Sequence, residues 1–470
     1  MIEPVAAARG SRHNVPDLKP WIAKAVSKAR LIIIILLLMA GSATAWSAPS
    51  QEAETRPGPQ TLVPGNPLTF EESVRIAISH SPNFTKSSLE IEIKRMDETD
   101  NRYGMLPTFT FRTIYYVNHP SNPTINPQPY SLNFVSDPYN PIVSYFSLQA
   151  HKLATQIAIL THLRTISLGL ERLGNSYLEL DALKNLAAYQ KDIINLAREN
   201  LIYAQNRLSI GTGTQLELKL AQQELQLAQG EQDQIAQSQK RILANLKNFL
   251  ALKTHREITV DLNNTCQQVL GRFTPETPNL TQAKGRSYEL RALEIRKKLQ
   301  DYNVSLAVAR VFPTFLFNTQ TPDPLSGTDA RGLYVGLGLS VPVWDGFSRI
   351  RNVSRQKAIL KQVGAEKDTK EDDLEDRWRG VLGEIQERDA ARKIAQSREE
   401  LARLKAQQDE IRYGSGQVTL PVVLESRKQV LEAHKDGVRK KLAYDKAVLH
   451  LREISGDLGN TYVDSNSWQN

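Results

Sequence analysis

The chain has 470 residues, a formal net charge of +8, 40% hydrophobic residues and a mean hydropathy of −0.39. That composition excludes a helical membrane protein as a whole, and there is no basic stripe interleaved with aromatics to point to nucleic acid. Positions 1–45 hold six basic and two acidic residues, so the rest carries about +4 (8 − 4), too mild an excess to imply a polyanionic partner.

In chain order, the first signal is the apolar run Leu31–Ala40, which is too short to span a bilayer as a helix. It follows Lys24, Lys28 and Arg30 and precedes Ala43-Thr44-Ala45. A basic region, an apolar region and a small-residue site make residues 1–45 an expected signal peptide, cut after Ala45 or alternatively after Ala48. The single cysteine, Cys266, has no partner for an internal disulfide, and no cysteine stands just after the signal, where a lipid would be attached. The expected product is exported, unlipidated and free of disulfides.

Residues 46–67, rich in Pro, Gly, Ser, Thr and Gln, read as a flexible leader. The first repeat then spans 68–250. Thr69 with Glu72 makes a capping box for a helix that pauses at Ser81-Pro82 and runs to about Tyr103. Strands are expected within about 107–145, where Phe109, Phe111, Thr113, Tyr115 and Val117 share a face, followed by a long helix over about 146–208. That helix would be roughly 95 Å long. Ile166, Leu170, Leu173, Tyr177 and Leu180 form a heptad seam along it. Gly211 and Gly213 turn the chain into a return helix that ends near Leu250. Residues 251–278 read as an irregular linker.

The plan repeats over 279–455: a helix, strands within about 313–345, a long helix over about 347–413, a turn at Gly414 and Gly416, and a return helix. Residues 456–470 read as a disordered tail. Pro107-Thr108-Phe109 pairs with Pro313-Thr314-Phe315, and Gly211-Thr212-Gly213 is expected to pair with Gly414-Ser415-Gly416 through a small insertion or deletion. The clearest strand is in the second copy. Leu333, Val335, Leu337, Leu339, Val341 and Val343 alternate with Tyr334, Gly336, Gly338, Ser340 and Pro342. Period two over about eleven residues suits a tilted membrane β-strand with its odd residues toward lipid. Gly336 and Gly338 would leave room for close packing.

Strands facing lipid must close into a barrel, and one chain offers about four, against eight in the smallest common barrels, so oligomerisation is expected. The long helices carry charged faces, such as Lys361, Glu366, Lys367, Asp368, Lys370 and Glu371, and must project into water as coiled coils.

No enzyme chemistry emerges. The eight histidines are scattered, with none paired at i, i+4, and there is no Cys set for a metal. There is no phosphate loop and no nucleophile elbow. Glu384 and Glu387 lie on a long helix face and read as solvated. No cofactor or metal site and no catalysis are expected.

Over residues 68–455 the chain resembles the TolC-type outer-membrane efflux family. The resemblance rests on Leu68-Thr69-Phe70-Glu71-Glu72-Ser73 with Ala77, Leu106-Pro107-Thr108-Phe109, Leu337 to Gly346, and Tyr413-x-x-Gly416 with Leu424-Glu425-Ser426. It implies a mainly α chain with a membrane β-barrel sector. Two repeats of helix, strand, strand, long helix and helix would assemble as a homotrimer, with a 12-stranded barrel in the outer membrane continued by a periplasmic α-helical barrel. It implies an exit duct for an efflux pump or type I secretion system, with a periplasmic adaptor and an inner-membrane pump as partners. Tyr413 and Glu425 match two gate positions of the family, while Val418 and Val422 stand where an arginine and an aspartate are usual. Pro141 to Phe146 stands where relatives have an Asp-Gly turn. The competing reading is a periplasmic coiled-coil adaptor or scaffold without a pore. An adaptor would show one helical hairpin flanked by small β-domains, whereas here two hairpins and two strand sets recur.

Overall fold

The computed structural model describes residues 67–115, 130–252, 258–271, 273–275, 279–320, 334–341 and 344–462. The expected signal peptide and all but Pro67 of the expected leader lie outside the described residues. The elements of the first copy are α1 (Phe70–His80), α2 (Pro82–Tyr103), β1 (Phe109–Tyr115), β2 (Tyr130–Ser136), α3 (Pro141–Ser209) and α4 (Gln215–Phe249). A short helix, α5 (Thr265–Leu270), precedes the second copy: α6 (Leu280–Arg286), α7 (Tyr288–Ala309), β3 (Thr314–Gln320), β4 (Tyr334–Ser340), α8 (Ser348–Gly414) and α9 (Leu420–Ile454). The last helix is α10 (Asp457–Tyr462).

Local chemistry sets these boundaries. The Thr69 hydroxyl accepts from Glu72 N and the Glu72 carboxylate accepts from Thr69 N, closing the capping box of α1. Ser81 ends α1 and begins α2 with Pro82 at the first helical position, and Ser287 performs the same double duty between α6 and α7. The long helix α3 begins at Pro141, five residues before the expected start (146 − 141), because Asn140 caps it. The Asn140 Oδ1 accepts from Ile142 N at 3.0 Å and Val143 N at 3.2 Å, while its Nδ2 donates to Ala309 O at 3.2 Å and Pro313 O at 3.3 Å. The expected strand region to 145 therefore stops at Ser136.

Two further expectations are corrected. The span 251–278 is not irregular throughout, since it holds α5 and the extended Val260, which bridges in parallel to Leu68. The tail is ordered through Tyr462: Leu458 is fully buried, Arg452 Nε donates to Asp457 at 2.8 Å, and the Tyr462 ring meets Phe70 edge-on at 6.0 Å. Residues 463–470 lie outside the described residues.

The four strands form one antiparallel sheet in the order β1-β2-β3-β4. Each is seven residues long, roughly 23 Å. The long helices α3 and α8, of 69 and 67 residues, run roughly 100 Å. Near the sheet, α3 packs against α2 and α7, and α7 against α8; toward the far end the layer is α4-α3-α9-α8.

The main core sits midway along these helices. Ile166, Leu170, Leu173 and Tyr177 of α3 are buried with Trp378 and Val381 of α8 and Leu449 and Leu451 of α9. The Tyr177 hydroxyl is 2.6 Å from Ser73 Oγ, and burial pushes its pKa up to about 12. By length and composition α3 is apolar enough to cross a membrane. Its most apolar stretch is instead 44% buried within the protein.

Gly169 of α3 is tight: a Cβ there would lie 2.4 Å from Phe84 Cζ. Gly169→Val is expected to destabilise the middle of the molecule by about 1–3 kcal/mol, read as a lowered midpoint in thermal unfolding. An unchanged midpoint would mean that Phe84 moves aside without cost.

Candidate functional site

The sheet has two unlike faces. Register places Phe109 and Phe111 of β1, Phe134 of β2, Phe315 and Phe317 of β3, and Val335, Leu337 and Leu339 of β4 on one face. Phe111 and Phe134 rings lie 4.9 Å apart, and Phe109 and Phe317 rings 5.7 Å apart, edge to face. Leu337 is 88% exposed, with no layer packed over it. The opposite face is more polar: it carries Thr110, Arg112, Asn133, Asn318, Gly336, Gly338 and Ser340, with Val135 and Leu316 among them. One apolar and one polar face is what a barrel sector between lipid and a wet lumen requires. β1 and β4 are the free edges of this sheet.

Of the six residues expected on the apolar strand face, Val335, Leu337 and Leu339 lie in β4. Val341 follows the strand and is exposed, while Leu333 and Val343 lie outside the described residues. Gly336 and Gly338 are not close-packed: an added Cβ would sit 3.6 Å from Asn318 O and 3.4 Å from Leu316 Cβ, ordinary contact distances. Their effect is to keep the polar face free of bulk.

At the far end two hairpins turn the chain. Gly211 has φ +76° and Gly416 φ +73°, a left-handed conformation suited to glycine just past a helix end. Thr212 N and Gly213 N donate to Arg207 O, and Gln417 N donates to Arg412 O, each at 2.9 Å. The true counterparts are thus Gly211 and Gly416, an offset of 205 (416 − 211), close to the 206 between Pro107 and Pro313. The expected pairing of Gly211-Thr212-Gly213 with Gly414-Ser415-Gly416 is displaced by two residues. Gly213 lies in the first turn, and Gly414 is the last residue of α8. At this offset Glu425 corresponds to Leu220 of the first copy (425 − 205), so the two hairpins differ in charge there.

Thr214 closes a full capping box with Glu217. Thr419 stands at the cap of α9 without a side-chain cap bond, with Pro421 in the first turn. Arg427 Nε bonds Glu410 at 2.8 Å and clasps the second hairpin. Tyr413 is exposed. Glu425 lines a groove between α3, α4 and α9 with a volume of about 250 Å³. Lys428 Nζ lies 3.8 Å from Glu425 and 3.5 Å from Glu224 of α4, so one cation serves two carboxylates. Deeper in this layer Lys435, only 3% exposed, donates to Gln190 Oε1 at 2.7 Å and pairs with Glu231 and Glu432 at 3.1 Å. That cation ties α9 to both α3 and α4.

A second feature was not anticipated from the sequence. Ile394, Leu401, Leu404 and Ile411 of α8, spaced seven, three and seven, are all exposed; Ile411 is 69% exposed. On α4, Leu216, Leu220 and Leu227, spaced four and seven, are exposed, Leu216 at 67%. Among the described residues these heptad seams have no partner; they lie at the same end, on the two edge helices of the α4-α3-α9-α8 layer. On α2, Leu89, Ile93, Met96 and Tyr103 repeat the pattern near the sheet. The signal was present in the three-, four- and seven-residue spacing, hidden by the charged composition around it.

Residues 279–457 match the family model described as outer membrane efflux protein. No curated protein sequence matches the chain. Among solved structures, the outer-membrane channel OprN is similar at a TM-score of 0.66 and 16% identity, over 82% of this chain and 89% of that one. The Campylobacter jejuni CmeC outer membrane channel is similar at 0.67 and 15% identity, over 85% and 88%. The outer membrane protein VceC of Vibrio cholerae is similar at 0.66 and 13% identity, over 82% and 96%.

Proposed function

We propose that the chain, whose residues 279–457 match the outer membrane efflux protein model, works as a homotrimeric exit duct through the outer membrane. The observation that carries the reading is the sheet with one face of exposed aromatic and aliphatic side chains, a more polar opposite face and two free edges. An open edge is not tolerated in lipid, and four strands cannot close a barrel. Three copies joined edge to edge supply twelve. The unpartnered seams on α4 and α8 lie at the opposite edges of each copy's helical layer, as a ring of copies requires. The helices continue the duct into the periplasm and meet a periplasmic adaptor and an inner-membrane pump of an efflux or type I secretion system. The duct performs no catalysis; it is a passive path for cargo. A pore-free adaptor or scaffold has no use for an exposed apolar sheet face.

The test is reconstitution of the purified protein in planar bilayers. Discrete conductance steps are expected, together with recovery of the protein in outer-membrane fractions. A soluble protein without conductance would overturn the duct.

At the tip, Tyr413 and Glu425 are the proposed gate. Three copies of Glu425 near one axis would favour cations, as rings of acidic residues do in other pores. Glu425→Gln is expected to lower cation selectivity and to weaken block by divalent cations in single-channel recordings. Unchanged selectivity and block would leave Glu425 as a partner of Lys428 and nothing more.

A further inference from the structure

Midway along the helices, α3 and α9 bring together three metal-ligating side chains that belong to neither the sheet nor the tip. Glu171 of α3 and His450 and Glu453 of α9 offer ligand atoms that all lie within 4.8 Å of one another. His450 and Glu453 stand at i, i+3, so both project from one face of α9 toward α3. We propose that Glu171, His450 and Glu453 form a binding site for a divalent transition ion of the zinc class.

The donor set suits the ion. One imidazole nitrogen and two carboxylates are three protein ligands of the type zinc takes, leaving a fourth position for water. The His450 side chain is 42% exposed, so solvent and metal have an approach. Charge points the same way. Two carboxylates, Glu171 and Glu453, face each other here across the contact between α3 and α9. Glu384 of α8 adds a further negative charge toward His450. Arg164 acts on Glu453 electrostatically, but its guanidinium is engaged by Glu289 at 2.9 Å. Without metal, the His450 Nδ1 and Glu171 Oε1 share a hydrogen bond at 2.8 Å, and Ser167 Oγ donates to Glu453 at 3.4 Å. Ligation would also pin α9 to α3 at the level of the main core.

The full-length chain, purified in detergent and stripped with a chelator, is titrated with Zn²⁺ by calorimetry, and bound metal is counted by mass spectrometry. One zinc per chain is expected. His450→Ala and Glu453→Gln should each weaken binding at least about tenfold, as even the loss of an outer-shell group does. His434→Ala is the control, because His434 pairs with Glu399 at 3.1 Å but belongs to no three-ligand group among the described residues. It should leave binding unchanged. X-ray absorption at the zinc edge of the unmodified chain should show one imidazole per zinc, independently of how the variants fold. No saturable binding, equal binding by His450→Ala, or an all-oxygen shell would overturn the site. None of these readouts depends on the protein being a duct.

Discussion

Leu337→Arg is expected to abolish assembly in the membrane, whereas Gly338→Arg, one residue on, is expected to leave assembly intact and change conductance. Leu337 pairs with Phe317 and Gly338 with Leu316, so the two positions lie on opposite faces of the sheet. An arginine at the lipid midplane of a barrel costs about 2–4 kcal/mol. Three copies would each carry that cost in one barrel. Gly338 has its nearest side-chain neighbour at 3.4 Å, in Leu316, so the larger side chain extends over the polar face. Outer-membrane fractionation with heat-modifiable gel migration reads the first outcome, and single-channel conductance the second. The reverse pattern would mean that the register is wrong by one residue, which inverts every side chain of the strand.

The second large effect concerns the helical seams. Leu401→Asp combined with Leu404→Asp should leave the chain folded but unable to hold its neighbours. Both leucines are exposed on α8 and lack a partner among the described residues. Burying a leucine contributes about 1.5–3 kcal/mol, so two per interface and three interfaces make a loss far larger than a typical surface change. Leu220→Asp on α4 should act in the same direction through the other side of the same contact. Size-exclusion chromatography with light scattering reads the mass, and circular dichroism checks that the helices remain. A variant of unchanged mass would mean that these seams face solvent or another protein.

What could be read from the chain, and what could not, follows from the range of each signal. The strand Tyr334–Ser340 was legible because period two needs only neighbours, and its odd residues lie on the apolar face. The helices were legible because their apolar spacing and end signals are local: Thr69 with Glu72 for α1, and glycine past the ends of α3 and α8. The hairpin offset was misread because glycines were matched by the look of Gly-x-Gly. What matters is which glycine takes positive φ, and that is a property of the backbone. The start of α3 was placed late because Asn140 serves as cap in place of an Asp-Gly turn. The tail carries little pattern of its own, yet Leu458 is buried beside α9 and the Tyr462 ring is held by Phe70 of α1, at the other end of the described chain. The three-ligand group was invisible for the same reason: His450 and Glu171 are 279 residues apart and meet only once α3 and α9 pack. Glu425 was identified by resemblance, and the groove it shares with Glu224 and Lys428 depends on three helices coming together.

The central claim is that four strands per chain become a closed twelve-stranded duct by joining three copies. Native mass spectrometry of the protein released from detergent micelles tests it most directly. The account predicts a complex of three chains that persists when detergent is removed in the gas phase. It also predicts that Leu337→Arg, if it can be extracted at all, does not give that complex. A stable monomer that conducts ions in a bilayer, or a ring of any number other than three, would contradict it.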